Sequence, residues 1–395
     1  MRDDRPTDTS TAPSPLLFTP FTMRGLTARN RIVGVADVAI SGGRRRARRL
    51  APGSSRQIRH GGAGIVFVEE TSVEASARKT YCCPGIYTDG QARAWRRITD
   101  FLRGQGALSA IQLGHAGREG RDQGAMGRLR AAHGGRRARA AGRHGAGYAP
   151  SPIPFKPGAA VPIEMDRDDI RRVIQSHVGS VPPLARCRFR HLRNPRRPRL
   201  RHPAVSLAIT NRRNDGYGGD LAGRMRFCLE VIEAARAAWP KDRPLFFRAS
   251  CVDGKGGAWQ IEDTVALARE LKLRGVDVVD CSSGGIEGPL TLAVVPRVPG
   301  YHVPFAERVR REAEIPTMAV GLITEAAQAE SYLADGRCDL VALAREMLWN
   351  PNWPVHAAKA LGGPDPLDLL PKTYAWWLRR REEVRKLYPT GDESP

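Results

Sequence analysis

The sequence lacks the features that mark membrane, secreted and zinc-binding proteins. No run of about 18 apolar residues occurs, so no membrane span is predicted. The seven cysteines are odd in number and form no CxxC pair, which argues against a disulfide framework or a zinc site. The first residues, MRDDRPTDTSTAPSP, have no apolar core and are unlike a signal peptide. These absences favour a cytoplasmic protein with no membrane partner, in which residues 1–16 form a disordered leader.

Acidic residues are absent from three arginine-rich windows, which cover residues 44–59, 125–147 and 185–207. The windows hold seven, six and eight arginines, in a chain of net charge +22. Without these 21 arginines about +1 would remain, so the basicity belongs to the windows. A strongly basic chain suggests nucleic-acid binding, but the windows lack the interleaved aromatic residues of a stacking platform. Nucleic-acid binding is therefore a remote alternative, and we expect no nucleic-acid partner.

Hydrophobic periodicity outside the windows predicts alternating strands and helices. Strand one is expected from about Arg31, and later strands at residues 65–70, 107–115, 245–250, 276–281, 317–321 and 339–344. Helices are expected at residues 92–103, 166–177, 229–238, 262–274, 304–312 and 324–334. Alternation at intervals of roughly 35–45 residues predicts parallel strands with crossover helices, and eight such units form a (β/α)8 barrel. A doubly wound sheet is the alternative, although no GxGxxG motif opens the chain.

Two elements of such a barrel have no apolar pattern. Strand four should follow the helix at residues 166–177, but arginine, proline and histidine occupy that part of the chain. The first helix should fall in the window at residues 44–59 and is equally unrecognisable. We expect both elements to be disrupted, and a barrel without strand four would leave two sheet edges exposed.

Specific motifs identify the kind of barrel. Residues 211–227 read NRRNDGYGGDLAGRMRF, residues 112–118 read QLGHAGR, and further matching stretches run from Leu17 to Leu361. They resemble the Old Yellow Enzyme family (NADH:flavin oxidoreductase / NADH oxidase), which are FMN-dependent ene-reductases. The resemblance implies an FMN-binding barrel at residues 17–362, a C-terminal extension at residues 363–395, and a homo-oligomer. It also implies hydride transfer from NADH or NADPH through flavin N5 to an activated alkene or similar small-molecule electrophile.

A shift of reading frame accounts for the windows. Back-translated with freely chosen codons and read one base later, residues 186–208 can read DAGFDIFEIHGAHGYVIQQFLSP, the family's strand four and active-site motif. In the same way, residues 35–40, 49–59 and 125–132 can read SPM-x-QY, DWHLVHLGRFA and PWDGYGPL, which are further family segments. Matches this long are very improbable by chance. We infer that compensated frameshifts interrupt an otherwise ordinary member of the family.

Two candidate FMN-binding residues follow from the resemblance at the ends of strands three and five. Gln112 matches a glutamine that hydrogen-bonds the flavin pyrimidine edge, a role that suits an amide because it both donates and accepts. Arg248 matches an arginine beside flavin N1 and the C2 oxygen, where a fixed cation stabilises the anionic reduced flavin. The alternative for Arg248 is a core ion pair, for example with Asp280, because a buried lone charge needs a partner.

Three further candidates follow strands seven and eight, whose loops form the usual phosphate site of this barrel. They are Gly321, Ala344 and Arg345. For Arg345 the alternative is a solvated helix start. His115, Arg118, Asp253 and Trp259 are weaker candidates: His115 can simply cap strand three, and Trp259 and Asp253 suit loop packing.

No catalytic residue is assigned. The family binds the activating carbonyl of its substrate with a histidine pair, and a nearby tyrosine is the proton donor. All three belong to HGAHGY, which the printed frame does not encode. His191 and His202 lie in the same window with different spacing, so the roles do not transfer to them. The alternative function is therefore a catalytically defective relative.

Overall fold

A computed structural model describes residues 14–35, 62–78, 83–117, 147–154, 161–187, 189–194, 210–253, 259–283 and 295–388. The predicted first helix, Arg118, His202 and residues 36–40 lie outside these ranges, as does nearly all of the second arginine-rich window.

The strands are β1 (Phe21–Met23), β2 (Leu26–Ala28), β3 (Ile32–Val35), β4 (Ile65–Phe67), β5 (Thr71–Ser72), β6 (Leu108–Gly114), β7 (Tyr148–Ala149), β8 (Ile163–Glu164), β9 (His191–Asn194), β10 (Leu245–Ser250), β11 (Val278–Ser282), β12 (Thr317–Val320) and β13 (Leu340–Leu343). The α-helices are α1 (Asp89–Gly104), α2 (Arg167–Arg186), α3 (Leu221–Ala238), α4 (Ile261–Leu273), α5 (Val303–Ala313), α6 (Ala326–Ala334), α7 (Arg345–Trp349), α8 (Trp353–Ala360) and α9 (Lys372–Leu387). Single 3-10 turns cover Leu16–Phe18, Ala75–Ala77 and Pro366–Leu369.

Eight parallel strands close into a barrel in the order β3, β4, β6, β9, β10, β11, β12 and β13, and β13 pairs with β3 to complete the ring. Helices α1 to α6 connect successive strands from β4 onward, as crossover connections between parallel strands require. The predicted (β/α)8 barrel is confirmed, and the doubly wound sheet is wrong. Strand five, Leu245–Ser250, has the predicted bounds.

The two faces of the barrel strands bury different side chains. One cluster fills the interior and contains Phe67, Ala110, Phe246 and Met318, and a larger cluster lies between the strands and the surrounding helices. Side chains alternate across a strand, so Phe246 faces the interior while its neighbour Phe247 packs against the helices. The hairpin formed by β1 and β2 adds Met23 and Ala28 to the interior cluster, and so closes the amino-terminal end of the barrel.

The expectation that strand four is missing is wrong. β9 lies between β6 and β10: His191 pairs with Ala110 on one side, and Leu192 pairs with Leu245 on the other. The sequence pattern concealed this strand because residues 190–194 read RHLRN and show no apolar run. The two neighbouring strands, β6 and β10, supply the backbone hydrogen bonds of β9, and this pairing overrides the unfavourable side-chain pattern.

Helix α2 is longer than predicted and continues to Arg186. Pro182 and Pro183 lie inside it, where proline removes a backbone donor and usually ends a helix. Burial of Val181 and Leu184 in the outer cluster holds this last part of the helix against the barrel. No helix among the described residues is long and apolar enough to span a membrane.

Candidate functional site

The carboxyl ends of the barrel strands bring polar side chains to the mouth of the barrel. Gln112 in β6 and Arg248 in β10 each come two residues after an interior residue, Ala110 and Phe246 respectively, and therefore face inward as well. Gln112 is 2% exposed and Arg248 is 7% exposed. Only β9 separates their strands. The structure thus brings two predicted site residues to the same end of the barrel.

Arg248 is held by two residues of the neighbouring strand. Its Nη1 donates to Asp280 Oδ2 at 2.6 Å, and its Nη2 donates to Ser282 Oγ at 2.9 Å. The Nε atom is buried and has no hydrogen-bond partner among the described residues. The ion pair with Asp280 that the sequence left as an alternative is therefore present. It fixes the guanidinium in one orientation and leaves the Nε–H without a partner among the described residues, so the flavin contact stays a prediction.

The loop after strand seven requires glycine. Gly321 follows β12 with φ +125°, and a Cβ atom there would lie 2.9 Å from the Tyr301 ring and 3.1 Å from His302 Nδ1. The Gly321 carbonyl accepts from Gly300 N at 2.9 Å, which fixes this loop against the segment before α5. A side chain at Gly321 is excluded both by the backbone angle and by the space. Glycine is therefore required for this loop to pack against Tyr301 and His302.

The predicted residues of strand eight lie beside this loop. β12 and β13 pair through Val320 and Ala342, so the two strand ends are adjacent. Ala344 caps the short helix α7 and packs partly against the interior cluster. Arg345 is exposed at the start of α7. Gly321, Ala344 and Arg345 therefore share one side of the barrel mouth.

His302 is a buried residue of this site that the sequence did not reveal. It precedes α5, and its Nε2 lies 2.7 Å from Ser283 Oγ while its Nδ1 lies 3.1 Å from the Val320 carbonyl oxygen. Burial, followed by the charge of Arg248, lowers the pKa of His302 to about 3. No local motif announces it, because its partners lie 18 and 19 residues away.

His115 belongs to a polar cluster behind the end of strand three. Its Nε2 lies 2.8 Å from Glu74 Oε1, and Arg172 Nη1 donates to the same carboxylate at 2.7 Å. Burial alone would raise the pKa of Glu74, but hydrogen bonds from His115, Ser76 and Arg172 outweigh it and hold that pKa well below its ordinary value. Gly117 N donates to the other ring nitrogen of His115 at 3.3 Å. His115 therefore anchors the turn after strand three.

The motif NRRNDGYGG organises a loop. Arg213 Nε donates to Asp215 Oδ1 at 2.9 Å and its Nη1 donates to the Pro150 carbonyl at 3.2 Å, while Asn211 Nδ2 donates to the Tyr217 carbonyl at 2.6 Å. These bonds tie the loop after strand four to the loop that precedes β8. Within the described residues, the motif that carries the strongest resemblance has a structural role.

Trp259 and Asp253 pack the loop after strand five. Trp259 is 1% exposed, and its Nε1 donates to Thr264 Oγ1 at 2.7 Å. Its backbone N donates to Asp253 Oδ2 at 3.2 Å. The interpretation of both residues as loop packing agrees with these contacts.

Comparison with known proteins places the chain in a family. The model of the NADH:flavin oxidoreductase / NADH oxidase family matches residues 16–185 and 205–362, and leaves out residues 186–204 inside the third arginine-rich window. An NADPH dehydrogenase of Geobacillus sp. (strain WCH70) is 37% identical over 351 residues, which cover 88% of this chain and 95% of that protein. The NADPH dehydrogenase of Bacillus subtilis (strain 168) is 32% identical over 356 residues, which cover 89% and 96%.

A solved structure has the same fold. Morphinone reductase superimposes with a TM-score of 0.69 over 90% of this chain and 92% of its own, at 24% identity. Because the family model matches most of the chain and the relatives match over nearly their whole length, the chain belongs to the NADH:flavin oxidoreductase / NADH oxidase family, the Old Yellow Enzymes, which are NAD(P)H oxidoreductases with FMN as cofactor.

Proposed function

We propose that this chain holds FMN at the carboxyl ends of its strands, and passes hydride from NADH or NADPH to an activated alkene or similar small electrophile. The observation that carries the proposal is Arg248, a buried cation at the barrel mouth. Asp280 and Ser282 use both of its Nη atoms, and its buried Nε has no partner among the described residues. A buried donor without an acceptor is costly, so the site suits a ligand that supplies one.

The described residues fit FMN at two further points. The Gln112 side chain is buried at the mouth and can both donate and accept, as the edge of a flavin pyrimidine requires. Gly321 follows strand seven and presents its backbone without a side chain, beside Ala344 and Arg345 at the end of strand eight. Backbone N–H groups and one arginine at such loops suit a phosphate.

Bound FMN supplies hydride transfer through its N5 atom, and the protein supplies binding, orientation and charge. Arg248 places a fixed positive charge in the mouth, where it favours negative charge on the group it contacts. Asp280 and Ser282 hold the guanidinium in that orientation before any ligand binds, so little reorganisation is needed. Gln112 lies on the other side of β9 from Arg248, where its amide would restrict the rotation of a planar ligand.

The second candidate is a defective relative that has the barrel but cannot reduce alkenes. Two observations favour it: the family model does not match residues 186–204, and the fully buried His191 in β9 has no hydrogen-bond partner for either ring nitrogen among the described residues. The substrate-binding motif HGAHGY would fall in this segment, at residues outside the described ranges.

Three measurements on the purified chain separate the two candidates: the absorbance band of protein-bound flavin after addition of FMN and gel filtration, its bleaching by NADPH without oxygen, and its recovery when 2-cyclohexenone is added. The comparison protein carries DAGFDIFEIHGAHGYVIQQFLSP at residues 186–208. If the chain is an ene-reductase, the printed sequence retains flavin, is bleached by NADPH and recovers its absorbance with 2-cyclohexenone. If the chain is a defective relative, recovery with 2-cyclohexenone occurs only in the comparison protein. If neither protein retains flavin, the proposed site is wrong.

A further inference from the structure

A groove lies between helices α1 and α2 on the outer, helical side of the barrel. It has a volume of about 430 Å³, and none of the residues predicted to bind FMN lines it. The lining residues that the structure describes are Asp89, Ala92, Arg93, Arg96, Arg186 and Cys187. Three arginines and one aspartate give these residues a net charge of +2. The groove is therefore a cationic concavity separate from the barrel mouth.

The buried floor of the groove joins the two helices. Cys187, the residue at which α2 ends, donates from Sγ to the Ala92 carbonyl at 2.9 Å, and its own carbonyl accepts from the Thr99 hydroxyl. Burial raises the pKa of the Cys187 thiol to about 11, although the charges of Arg186 and Arg96 act to lower it. The thiol is neutral at pH 7 and adds no negative charge to the groove.

The three arginines of the groove are exposed and only partly neutralised. Arg186 Nη2 donates to Asp89 Oδ1 at 3.1 Å, and Asp89 is the acid among the described lining residues. Arg96 Nε lies 3.7 Å from Asp100 Oδ2, which is too far for a hydrogen bond. Arg93 has no ion pair within the described residues. Most of the guanidinium donors in the groove are thus free to bind an anion.

The charge of the groove depends on the reading frame. The shifted frame places aspartate at position 186 and alanine at position 187. With aspartate at position 186, Arg93 and Arg96 would face two acids and the groove would be neutral. The printed chain instead places a third cation beside them. Like charges held close together repel each other, and an anion from solution relieves that repulsion.

The lining residues favour phosphate groups over other anions. The planar fork of a guanidinium matches two phosphate oxygens at once. Arg93 and Arg96 are three residues apart and share one face of α1, while Arg186 reaches the groove from α2. Cations on two sides suit two linked phosphates better than one. No aromatic side chain is among the described lining residues, so the groove offers no platform on which a base could stack.

We propose that the groove of Arg93, Arg96 and Arg186 binds a diphosphate group. The two arginines of α1 contact its oxygens from one side, and Arg186 contacts them from the other. This site goes beyond the proposed flavin chemistry and does not depend on it, because the two share no residue. Free pyrophosphate and the diphosphate of a nucleotide have the same chemistry, and the absence of a stacking residue among the described lining residues favours the free ion.

The test is isothermal titration calorimetry on the full chain with excess FMN, using pyrophosphate, ADP and orthophosphate. We expect one pyrophosphate site per chain, and orthophosphate binding at least about tenfold weaker because it engages fewer of the three guanidinium groups. Pyrophosphate binding as tight as that of ADP, or tighter, supports the free ion. Tighter binding of ADP supports a nucleotide as the source of the diphosphate. Absence of binding by both, or orthophosphate binding as tight as pyrophosphate binding, overturns the proposal.

Two arginine variants locate the site. Arg186→Asp should weaken pyrophosphate binding at least about tenfold, because it removes a charge-assisted contact and adds a repelling charge. The matched control is Arg171→Asp, which makes the same change of charge on the exposed surface of α2. Arg171 lies about 15 residues, or roughly 22 Å, along the helix from Arg186, more than two Debye lengths at physiological salt. Equal weakening in the two variants would mean that only the general basicity of the chain attracts the anion, and would overturn the site.

A gain of affinity provides the strictest test, because a misfolded variant cannot produce it. Asp89→Asn removes the acid from the groove and releases Arg186 from its ion pair, so pyrophosphate should bind about threefold to tenfold more tightly. The comparison protein, with aspartate at position 186, should bind pyrophosphate no better than Arg186→Asp does. An unchanged or lower affinity in Asp89→Asn, or tight binding by the comparison protein, contradicts the role of these arginines.

Discussion

Arg248 and Asp280 lie directly opposite each other on neighbouring parallel strands, with Nη1 and Oδ2 2.6 Å apart. The two side chains are 8% and 0% exposed. Burial of both charges costs desolvation energy that the attraction between them only partly offsets, so such a pair is weak support for stability. The position of the Arg248–Asp280 pair at the barrel mouth instead suits a role in binding, because Asp280 holds the cation where a ligand can contact it.

Asp280→Asn should destabilise the protein more than replacement of both partners. Arg248 would keep its buried charge without a counterion, at a cost of about 3–5 kcal/mol. The double variant Arg248→Met with Asp280→Leu should regain most of that free energy of unfolding, measured in urea, and still bind FMN far more weakly than the unaltered chain. A double variant less stable than Asp280→Asn would contradict this account of the pair.

His191→Ile should stabilise the barrel. His191 is fully buried in β9 with its ring 5.5 Å from that of Phe246, and neither ring nitrogen has a hydrogen-bond partner among the described residues. Removal of an unsatisfied buried polar group is worth about 1–3 kcal/mol. The shifted reading frame also places isoleucine here, so a gain in the free energy of unfolding would support that hypothesis.

A second buried histidine provides the control for that measurement. His177 in α2 is 1% exposed, and its Nδ1 lies 2.8 Å from the Val173 carbonyl oxygen. Because it makes this bond, His177→Ile should not stabilise the protein. A similar gain for both variants would show that the effect is general hydrophobicity and has nothing to do with the reading frame.

The stability should fall as the pH falls below about 6.5. Burial lowers the pKa of His191 to about 3, and the pKa of His302 is lowered to about 3 mainly by burial as well. An unfolded histidine, with a pKa near 6.5, binds a proton between these values while the folded one does not, so each contributes a loss of up to about 1.4 kcal/mol per pH unit. Urea unfolding at pH 7.5 and pH 5 measures the sum. His191→Ile should reduce the dependence on pH, and an unchanged slope would contradict the assignment.

The sequence predicts the elements of this fold where side-chain pattern and backbone pairing agree. Strand five combines a buried apolar run with neighbours on both sides, and its bounds are correct. Strand four was missed because His191 interrupts the pattern that burial would normally impose, although β6 and β10 pair with it. Hydrophobic periodicity shows which side chains are suited to burial. It cannot detect a segment that forms a strand although its side chains lack the apolar pattern.

A residue of the site could be predicted from the sequence where it lies within a recognisable local motif. Gln112 and Arg248 end strands that the sequence identifies, so both could be placed at the barrel mouth. The ion pair of Arg248 was available only as an alternative, because register between strands is not legible in one sequence. His302 was missed for a related reason: its partners come from the ends of two other strands, which only the closed barrel brings together.

Gly321→Ala should weaken FMN binding and lower the stability together. The backbone angle of +125° disfavours any side chain, and the added Cβ would press on the Tyr301 ring at 2.9 Å and on His302 Nδ1 at 3.1 Å. The matched control is Gly362→Ala, since Gly362 also has positive φ, +61°, but a Cβ there meets nothing within 4 Å. The control should lose only about 1–2 kcal/mol, the cost of a left-handed residue. Gly321→Ala should lose more, with FMN affinity reduced at least tenfold in fluorescence titration, because the loop beside His302 must move. Equal losses in the two variants would show that the backbone angle alone matters and that Gly321 does not shape the site.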